Sequence, residues 1–457
     1  MAAALDAFAR AVEADTGDPS LLSGDGTGMY VLGGRMPFLV ARPASHEAVL
    51  SVLARASEGS LGVVPWGGGT SRRAGYPPER YDVALSTERL SAAVDFLCDD
   101  LTAVVQPGMT IESLNRLTRS EGQTAGLDPA NPGKATVGGT VFAERSGPQR
   151  VRWGRARDRV MRLKVALPDG SSHTYGALVV KNVTGYDMNR LLAGSWGTLA
   201  VATELAIRLY KAPERSGARA AAFGTAGEAF RAARRLMALP LHPLWVEVLD
   251  AGRIEALGER YFLPGPWCLA AAFGDFEEGL AEALRRFEDL LGREGGREFA
   301  RLDEEETARL GAALADQPGG DFAREEALAV RASGRADQLP RFARAVEEAA
   351  GKGGFRHAVA AHAGSGVLRA WLAPRERGVE PRAAWDAFAS LCRAGADPAA
   401  GRFVHVRLDG GPTSLREQIP VWGEDALDPA ALALMRRLKR EYDPTRILSP
   451  GRFVGRL

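Results

Sequence analysis

Trp66-Gly67-Gly68-Gly69-Thr70-Ser71 follows a short apolar strand, Leu61 to Pro65, and runs on into Arg72-Arg73-Ala74-Gly75-Tyr76-Pro77-Pro78. Glycine permits positive φ and puts no side chain in the way, so consecutive backbone N–H groups in such a loop can converge on an anion. Thr70 and Ser71 add hydroxyl donors. A dinucleotide-binding βαβ unit would enter an amphipathic helix at this point, with the helix N-terminus on the phosphates. Here Gly75, Pro77 and Pro78 forbid a regular helix after the loop. The stretch therefore predicts a phosphate nest without a Rossmann fold; taken alone, it also reads as a structural turn.

Outward from the loop, residues 37–213 alternate short strands with helices and glycine-rich turns. Phe38–Val40 reads as a strand. Ser45 caps a helix running to about Glu58, with apolar Val49, Leu50, Val52 and Leu53 and Glu47 in its first turn. Strands are predicted at Val83–Ser86, Ala92–Leu97 and Ala103–Gln106, and a helix capped by Thr110 over Ile111–Glu121. Residues 214–400 are rich in Ala, Arg and Glu, with helical periodicity at Ala226–Leu239, Gly279–Leu291, Glu304–Ala315 and Leu339–Ala350. Strand-like pieces stand between them at Leu244–Leu249, Cys268–Phe273 and Val367–Leu372. Pro429 to Arg440 reads as a helix with proline at its first position and cations in its last turn. Both lobes are α+β. The expected division is 1–213, an inserted lobe at 214–400, and a segment 401–457 that returns to the first lobe.

The chain has 457 residues, with 58 Lys+Arg against 57 Asp+Glu, a formal charge of +1. That balance argues against nucleic acid as the main partner, because phosphate backbones call for a basic surplus. Cys98, Cys268 and Cys392 are widely spaced singletons, which speaks against a disulfide framework and for a reducing compartment. Three thiols are also too few for an iron–sulfur cluster, which takes about four. No run approaches the roughly 18 apolar residues of a membrane span. Asp6, Glu13 and Asp15 sit in an amphipathic N-terminal pattern where a signal peptide would be basic and then apolar. The expectation is a cytoplasmic protein.

More glycine clusters follow in order. They are Ala135-Thr136-Val137-Gly138-Gly139 after Leu127-Asp128-Pro129, Ser146-Gly147-Pro148, Gly154-Arg155-Ala156-Arg157-Asp158, Lys181-Asn182-Val183-Thr184-Gly185-Tyr186-Asp187, and Gly194-Ser195-Trp196-Gly197-Thr198-Leu199. In this order the motifs resemble the PCMH-type (vanillyl-alcohol oxidase-like) FAD-binding domain, shared by bacterial glycolate oxidase subunits, D-lactate dehydrogenases and related flavoproteins. The resemblance covers 38–213 and resumes at 421–454. The Lys181–Asp187 motif, Gly-Ser-x-Gly-Thr-Leu, Val421-Trp422-Gly423 and Tyr442-Asp443-Pro444 through Pro450-Gly451-Arg452-Phe453 resemble most the family of FAD-binding E subunits of bacterial glycolate oxidases. That family usually has Asn where Ser449 stands and Gly where Ala200 stands.

The resemblance implies FAD as cofactor and assigns its contacts. The amides of Gly67, Gly68, Gly69, Thr70 and Ser71, following Pro65, would hold the pyrophosphate. Thr136, Gly138 and Gly139 would line the flavin side, with Asp128, Pro129, Ser146 and Gly147 close by. Gly197, Thr198 and Val201 would lie along the ribityl or adenine side, and Asp158 would brace its loop. Relatives with covalent flavin place a His in the pyrophosphate loop; none stands here, which implies non-covalent FAD.

Oxidation of a 2-hydroxy acid at a flavin calls for a cation on the carboxylate and a base for the hydroxyl proton. Catalytic relatives carry His-x-Gly-Asp-Gly-Asn-x-His in the second lobe. The matching stretch is His362-Ala363-Gly364-Ser365-Gly366-Val367-Leu368-Arg369, so an acid and an imidazole are lost and no metal site is expected. His362 reads as a base or as a packed histidine, Arg369 as a carboxylate ligand or an ion-pair partner, and Lys181 as a cavity residue or a structural cation. The resemblance implies a flavoprotein subunit of a glycolate (D-2-hydroxy acid) oxidase or dehydrogenase complex. Its partners would be a catalytic flavoprotein and an iron–sulfur subunit, with membrane association, if any, peripheral and through them. A self-sufficient FAD-dependent D-2-hydroxy acid dehydrogenase and a scaffold with a vestigial flavin site are the alternatives.

Overall fold

In a computed structural model, which describes residues 2–179, 185–258, 265–376, 381–395 and 404–457, the strand ahead of the glycine loop is Val63–Trp66. It pairs in parallel with Val83–Ser86, which pairs in parallel with Leu39–Ala41. Leu22–Ser23 completes this sheet at the far edge. Parallel neighbours need a crossover, and the helix His46–Glu58 supplies it. Ser45 caps that helix, its Oγ accepting from the Ala48 amide at 3.1 Å. Val49, Val52, Leu53 and Ala56 on its inner face are fully buried with Val63, Val83 and Leu85 of the sheet. After the glycine loop the chain makes turns and no helix, so the expectation against a Rossmann unit holds locally.

This unit comprises 1–146, 155–211 and 427–457. Its second sheet is antiparallel, in the order Ala93–Leu97, Thr102–Val105, Val201–Arg208, Val160–Ala166, Ser172–Gly176. Strands with one buried face alternate apolar residues inward, and Val105, Leu163, Val165, Leu205 and Ile207 form the centre of the core here. The C-terminal segment is built into the first sheet: Val63 donates to Ile447 O at 2.7 Å and accepts from Ser449 N at 2.8 Å. The helix Pro429–Tyr442 sends Lys439, 2% exposed, inward. Its Nζ donates to Asp443 Oδ2 at 2.5 Å, Thr198 O at 2.7 Å and Leu448 O at 2.8 Å. Asp443 in turn accepts from the Ile447 and Leu448 amides. Burial pulls the Lys439 pKa below its ordinary value, and the Asp443 carboxylate opposes the shift.

The other unit comprises 147–154 and 212–426. It is an eight-stranded antiparallel sheet in the order Arg297–Leu302, Arg215–Phe223, Trp267–Asp275, Trp245–Asp250, Phe355–His362, Val367–Pro374, Leu328–Ser333, His405–Gly410. Helices Ala226–Met237, Glu277–Arg293 and Leu339–Gly353 bury one apolar stripe each. Two boundaries differ from the sequence expectation. The strand His405–Gly410 pairs with Leu328–Ser333, so the return to the first unit starts at 427 and not at 401. Residues 147–154 join the second unit because Val151 packs on the turn after His362, where a Cβ on Gly364 would lie 2.5 Å from Val151 Cγ2.

Candidate functional site

The glycine loop forms one wall of an open cleft in the first unit, with an empty volume of about 840 Å³ including its mouth. The opposite wall is the segment from Lys134 to Gly139, where Thr136 caps the short helix Val137–Phe142 through its Oγ1. The two walls touch so closely that side chains are excluded. A Cβ on Gly67 would stand 2.3 Å from Thr136 Oγ1, and one on Gly68 would stand 1.5 Å from the Lys134 carbonyl oxygen. Gly69 has φ +69°, which favours glycine. Among the described residues, the amides of Gly67, Gly68, Gly69, Thr70 and Ser71 donate to no protein acceptor. Five successive amides without a protein acceptor in a glycine loop can serve as an anion nest.

Pro65, Gly67, Gly68, Gly69, Thr70, Ser71, Thr136, Gly138, Gly139, Gly197 and Val201 all line the cleft. Six residues expected there do not. Thr198 is buried, its Oγ1 donating to Ser195 O at 2.7 Å and its carbonyl accepting from Lys439. Asp158 accepts from Arg155 N at 3.0 Å and pairs with Arg190 at 3.5 Å, a brace for its own loop. Ser146 Oγ accepts from Ala156 N, and Gly147 already belongs to the second unit. Asp128 and Pro129 precede the turn at Asn131, whose carbonyl accepts from Lys134 N and Ala135 N and so sets the opposite wall. Motif reading missed Trp66, Arg72, Pro107, Phe142, Trp196 and Arg452, which also line the cleft. Trp66 and Trp196 flank motif glycines, and Arg452 lies in the quoted Pro450–Phe453 run, so adjacency was the available signal. Two arginines and no carboxylate line the cleft, so a dianionic diphosphate fits it in charge as well as in donors. FAD carries such a diphosphate, and the residues present suit it.

The second candidate centre lies within the second unit. Register puts Glu247 opposite His362, and Arg331 opposite both Arg369 and Arg407, with Arg369 two residues beyond His362's partner Val367. Side chains at even spacing share a face, so these charged groups line one side of the sheet. His362 Nδ1 is hydrogen-bonded to Glu247 Oε1, and both residues are essentially inaccessible. Among the described residues, His362 Nε2 and Glu247 Oε2 have no hydrogen-bond partner. Burial pulls the His362 pKa below the ordinary histidine value; Glu247 opposes this, and the Arg369 and Arg331 charges add to it. Arg369 donates Nη1 to Ala315 O at 2.9 Å and Nη2 to Leu314 O, and lies 5.0 Å from the Trp371 ring centre. It thus satisfies carbonyls at the end of the helix Glu304–Ala315, a structural task. The sheet brings His362 to a carboxylate that no motif announced. Lys181 lies outside the described residues, as do Asn182, Val183 and Thr184. Among the described residues no group of three or more His, Cys, Asp or Glu side chains gathers for a metal.

Residues 37–176 match the FAD binding domain family, and residues 212–405 and 416–453 match the FAD linked oxidases, C-terminal domain. The chain belongs to the FAD-linked oxidase family: it is an FAD-linked oxidoreductase with a PCMH-type FAD-binding domain, and FAD is its cofactor. It is 27% identical over 436 residues to the mitochondrial D-lactate dehydrogenase (cytochrome) of Arabidopsis thaliana, covering 92% of this chain and 74% of that one. It is 24% identical over 431 residues to the glycolate oxidase subunit GlcD of Bacillus subtilis, covering 92% and 90%. Among solved structures, p-cresol methylhydroxylase with substrate bound aligns with a TM-score of 0.75 at 16% identity, covering 99% of this chain and 97% of that one. An alkyldihydroxyacetonephosphate synthase aligns at 0.74 and 17% identity, covering 98% and 86%. These two carry the fold. Among the described residues no helix is long and apolar enough to cross a membrane.

Proposed function

We propose that this chain is the FAD-binding flavoprotein subunit of a glycolate (D-2-hydroxy acid) oxidase or dehydrogenase, passing electrons to an iron–sulfur partner. The cleft carries the reading. Among the described residues, its five amides from Gly67 to Ser71 have no protein acceptor, which supports an anion there. The amides of Gly67–Ser71 hold the diphosphate, and Thr136, Gly138, Gly139, Gly197 and Val201 shape the walls around the rest of the cofactor. No histidine stands in the loop, so the flavin is held without a covalent bond. Bound FAD supplies a two-electron acceptor for C–H oxidation. The relatives that act on D-lactate and glycolate support a 2-hydroxy acid as substrate. His362 and Glu247 form a buried hydrogen-bonded pair within the second unit, in which the imidazole reads as a base or as a packed histidine. Resemblance to glycolate oxidase E subunits and similarity to a relative named as a glycolate oxidase subunit support membership of a complex. Three separated cysteines are fewer than the roughly four thiolates of a cluster, which supports an iron–sulfur relay on a partner chain.

The D-lactate dehydrogenase match over 92% of the chain, together with the buried Glu247–His362 pair, favours a second reading, a self-sufficient D-2-hydroxy acid dehydrogenase. One experiment separates them. The chain is expressed alone, its bound flavin is measured, and glycolate or D-lactate is added anaerobically. A yellow protein reduced only when partner subunits are present supports the first reading. Bleaching without partners supports the second, and a colourless protein refutes both.

A further inference from the structure

Trp196 is the open position of the Gly-Ser-x-Gly-Thr-Leu motif, and it lines the cofactor cleft with φ +58°. Bulky residues take that conformation only where their surroundings hold it, and such strain gathers at functional sites. Here the Trp196 amide donates to Phe142 O at 2.9 Å. The ring is contacted by two guanidinium groups, Arg145 at 5.2 Å and Arg452 at 6.0 Å from its centre. Arg145 donates Nε to Ser71 Oγ at 3.0 Å, at the end of the glycine loop. Arg452 is 7% exposed and lines the cleft; its Nη2 donates to Ala74 O at 3.0 Å, just past the same loop. The stack thus joins the glycine loop, the Trp196 turn and the C-terminal tail. Loop amides contribute partial charges only. Guanidinium forks add full positive charge in a geometry that matches phosphate oxygens.

We propose that Trp196 holds Arg452 at the cleft as a cation that neutralises the diphosphate of the cofactor, with Arg145 on the same ring bracing the glycine loop through Ser71, so that the C-terminal tail contributes directly to cofactor affinity. The proposal rests on the flavin reading and deepens it. Its ligand class is a diphosphate ester, and ADP, which lacks the flavin, is the minimal probe.

The test uses the full chain stripped of flavin and titrated with FAD, ADP and riboflavin over a range of NaCl concentrations. Arg452→Gln is expected to weaken FAD and ADP roughly tenfold to a hundredfold, the scale of a lost interaction with a charged group, and Arg145→Gln, which acts through the loop, roughly threefold to tenfold. Riboflavin, which has no phosphate, should be unaffected. The wild-type affinity should fall with salt more steeply than that of either variant, because screening acts on the charge removed. Arg452→Lys should keep the salt dependence and recover only part of the affinity, since it keeps the charge and loses the fork. Thermal melts check folding; if Arg452→Gln does not fold, Arg145→Gln, at the other end of the stack, decides. Folded Gln variants that bind FAD within about twofold of wild type, with unchanged salt dependence, overturn the proposal. A wild-type chain that takes up no FAD overturns the flavin reading itself, a separate result.

Discussion

Replacing Gly68 by alanine tests the cleft most directly, because the obstruction there is backbone. The added Cβ would lie 1.5 Å from Lys134 O and 2.5 Å from Lys134 C. Carbon and carbonyl oxygen approach to about 3.3 Å at closest without strain, so the two walls must separate by about 1.8 Å. No rotamer change relieves this. Overpacking of that kind costs roughly 1–3 kcal/mol in stability. The effect on the cofactor is larger, since a shift of that size carries donors beyond hydrogen-bonding range. Loss of two of the five loop amides as donors to a charged acceptor removes roughly 3–6 kcal/mol, a hundredfold to ten-thousandfold in affinity.

Two companion substitutions rank the effect. Gly67→Ala meets the Thr136 hydroxyl at 2.3 Å, which a χ1 rotation relieves at the expense of the Gly139 cap, so it should fall between the extremes. Gly28→Ala has nothing within 4 Å of its Cβ and should behave as wild type. Flavin-to-protein ratio on purification, FAD affinity by flavin fluorescence and a urea melt supply the readouts. If Gly68→Ala retained FAD as Gly28→Ala does, the close approach of the walls would not matter to the cofactor and the reasoning would fail.

Lys439→Met should destabilise the first unit by roughly 3–5 kcal/mol in a urea melt, because it leaves the Asp443 carboxylate buried without its cation. Lys439→Met with Asp443→Leu should cost less than the sum of the two single changes. In the second unit, burial pushes the Asp250 carboxyl up from 3.8 to about 7, although its Oδ1 accepts from Arg253 N and Val359 N. A carboxyl raised in the folded state stabilises it fully below the unfolded pKa and loses that contribution as pH rises through the folded one. Stability should therefore decline from about pH 4 to pH 7, by at most roughly 4 kcal/mol for about three pKa units at 1.36 each. Asp250→Asn keeps the acceptor and should flatten the decline.

The parallel sheet, its crossover helix and most of the cleft were readable because turn chemistry and capping are local. Ser45, Thr110, Thr136 and Asp428 all cap helices through side-chain oxygens. The second unit was harder. Arg215–Phe223 and Phe355–His362 are alanine-rich strands, and alanine favours helix when read locally. Their place in the interior of a sheet, with neighbours on both sides, overrides that preference. Glu247 and His362 stand 115 residues apart and meet only because their strands are adjacent, so no spacing rule could pair them. Arg369 illustrates the converse: the motif alignment offered it to a substrate, but register delivers it to carbonyls at a helix end.

The two centres use buried polarity in opposite ways, and the difference bears on what each can do. In the cleft the unanswered groups are donors: five loop amides beside two arginines, with no carboxylate among the lining residues. The loop amides find no acceptor among the described residues and are satisfied by an anion or by water. In the Glu247–His362 pair of the second unit the atoms without a partner among the described residues are one imidazole nitrogen and one carboxylate oxygen, both in buried residues. The cleft is therefore built of donors that suit an anion, whereas the pair is a buried hydrogen-bonded couple of an imidazole and a carboxylate.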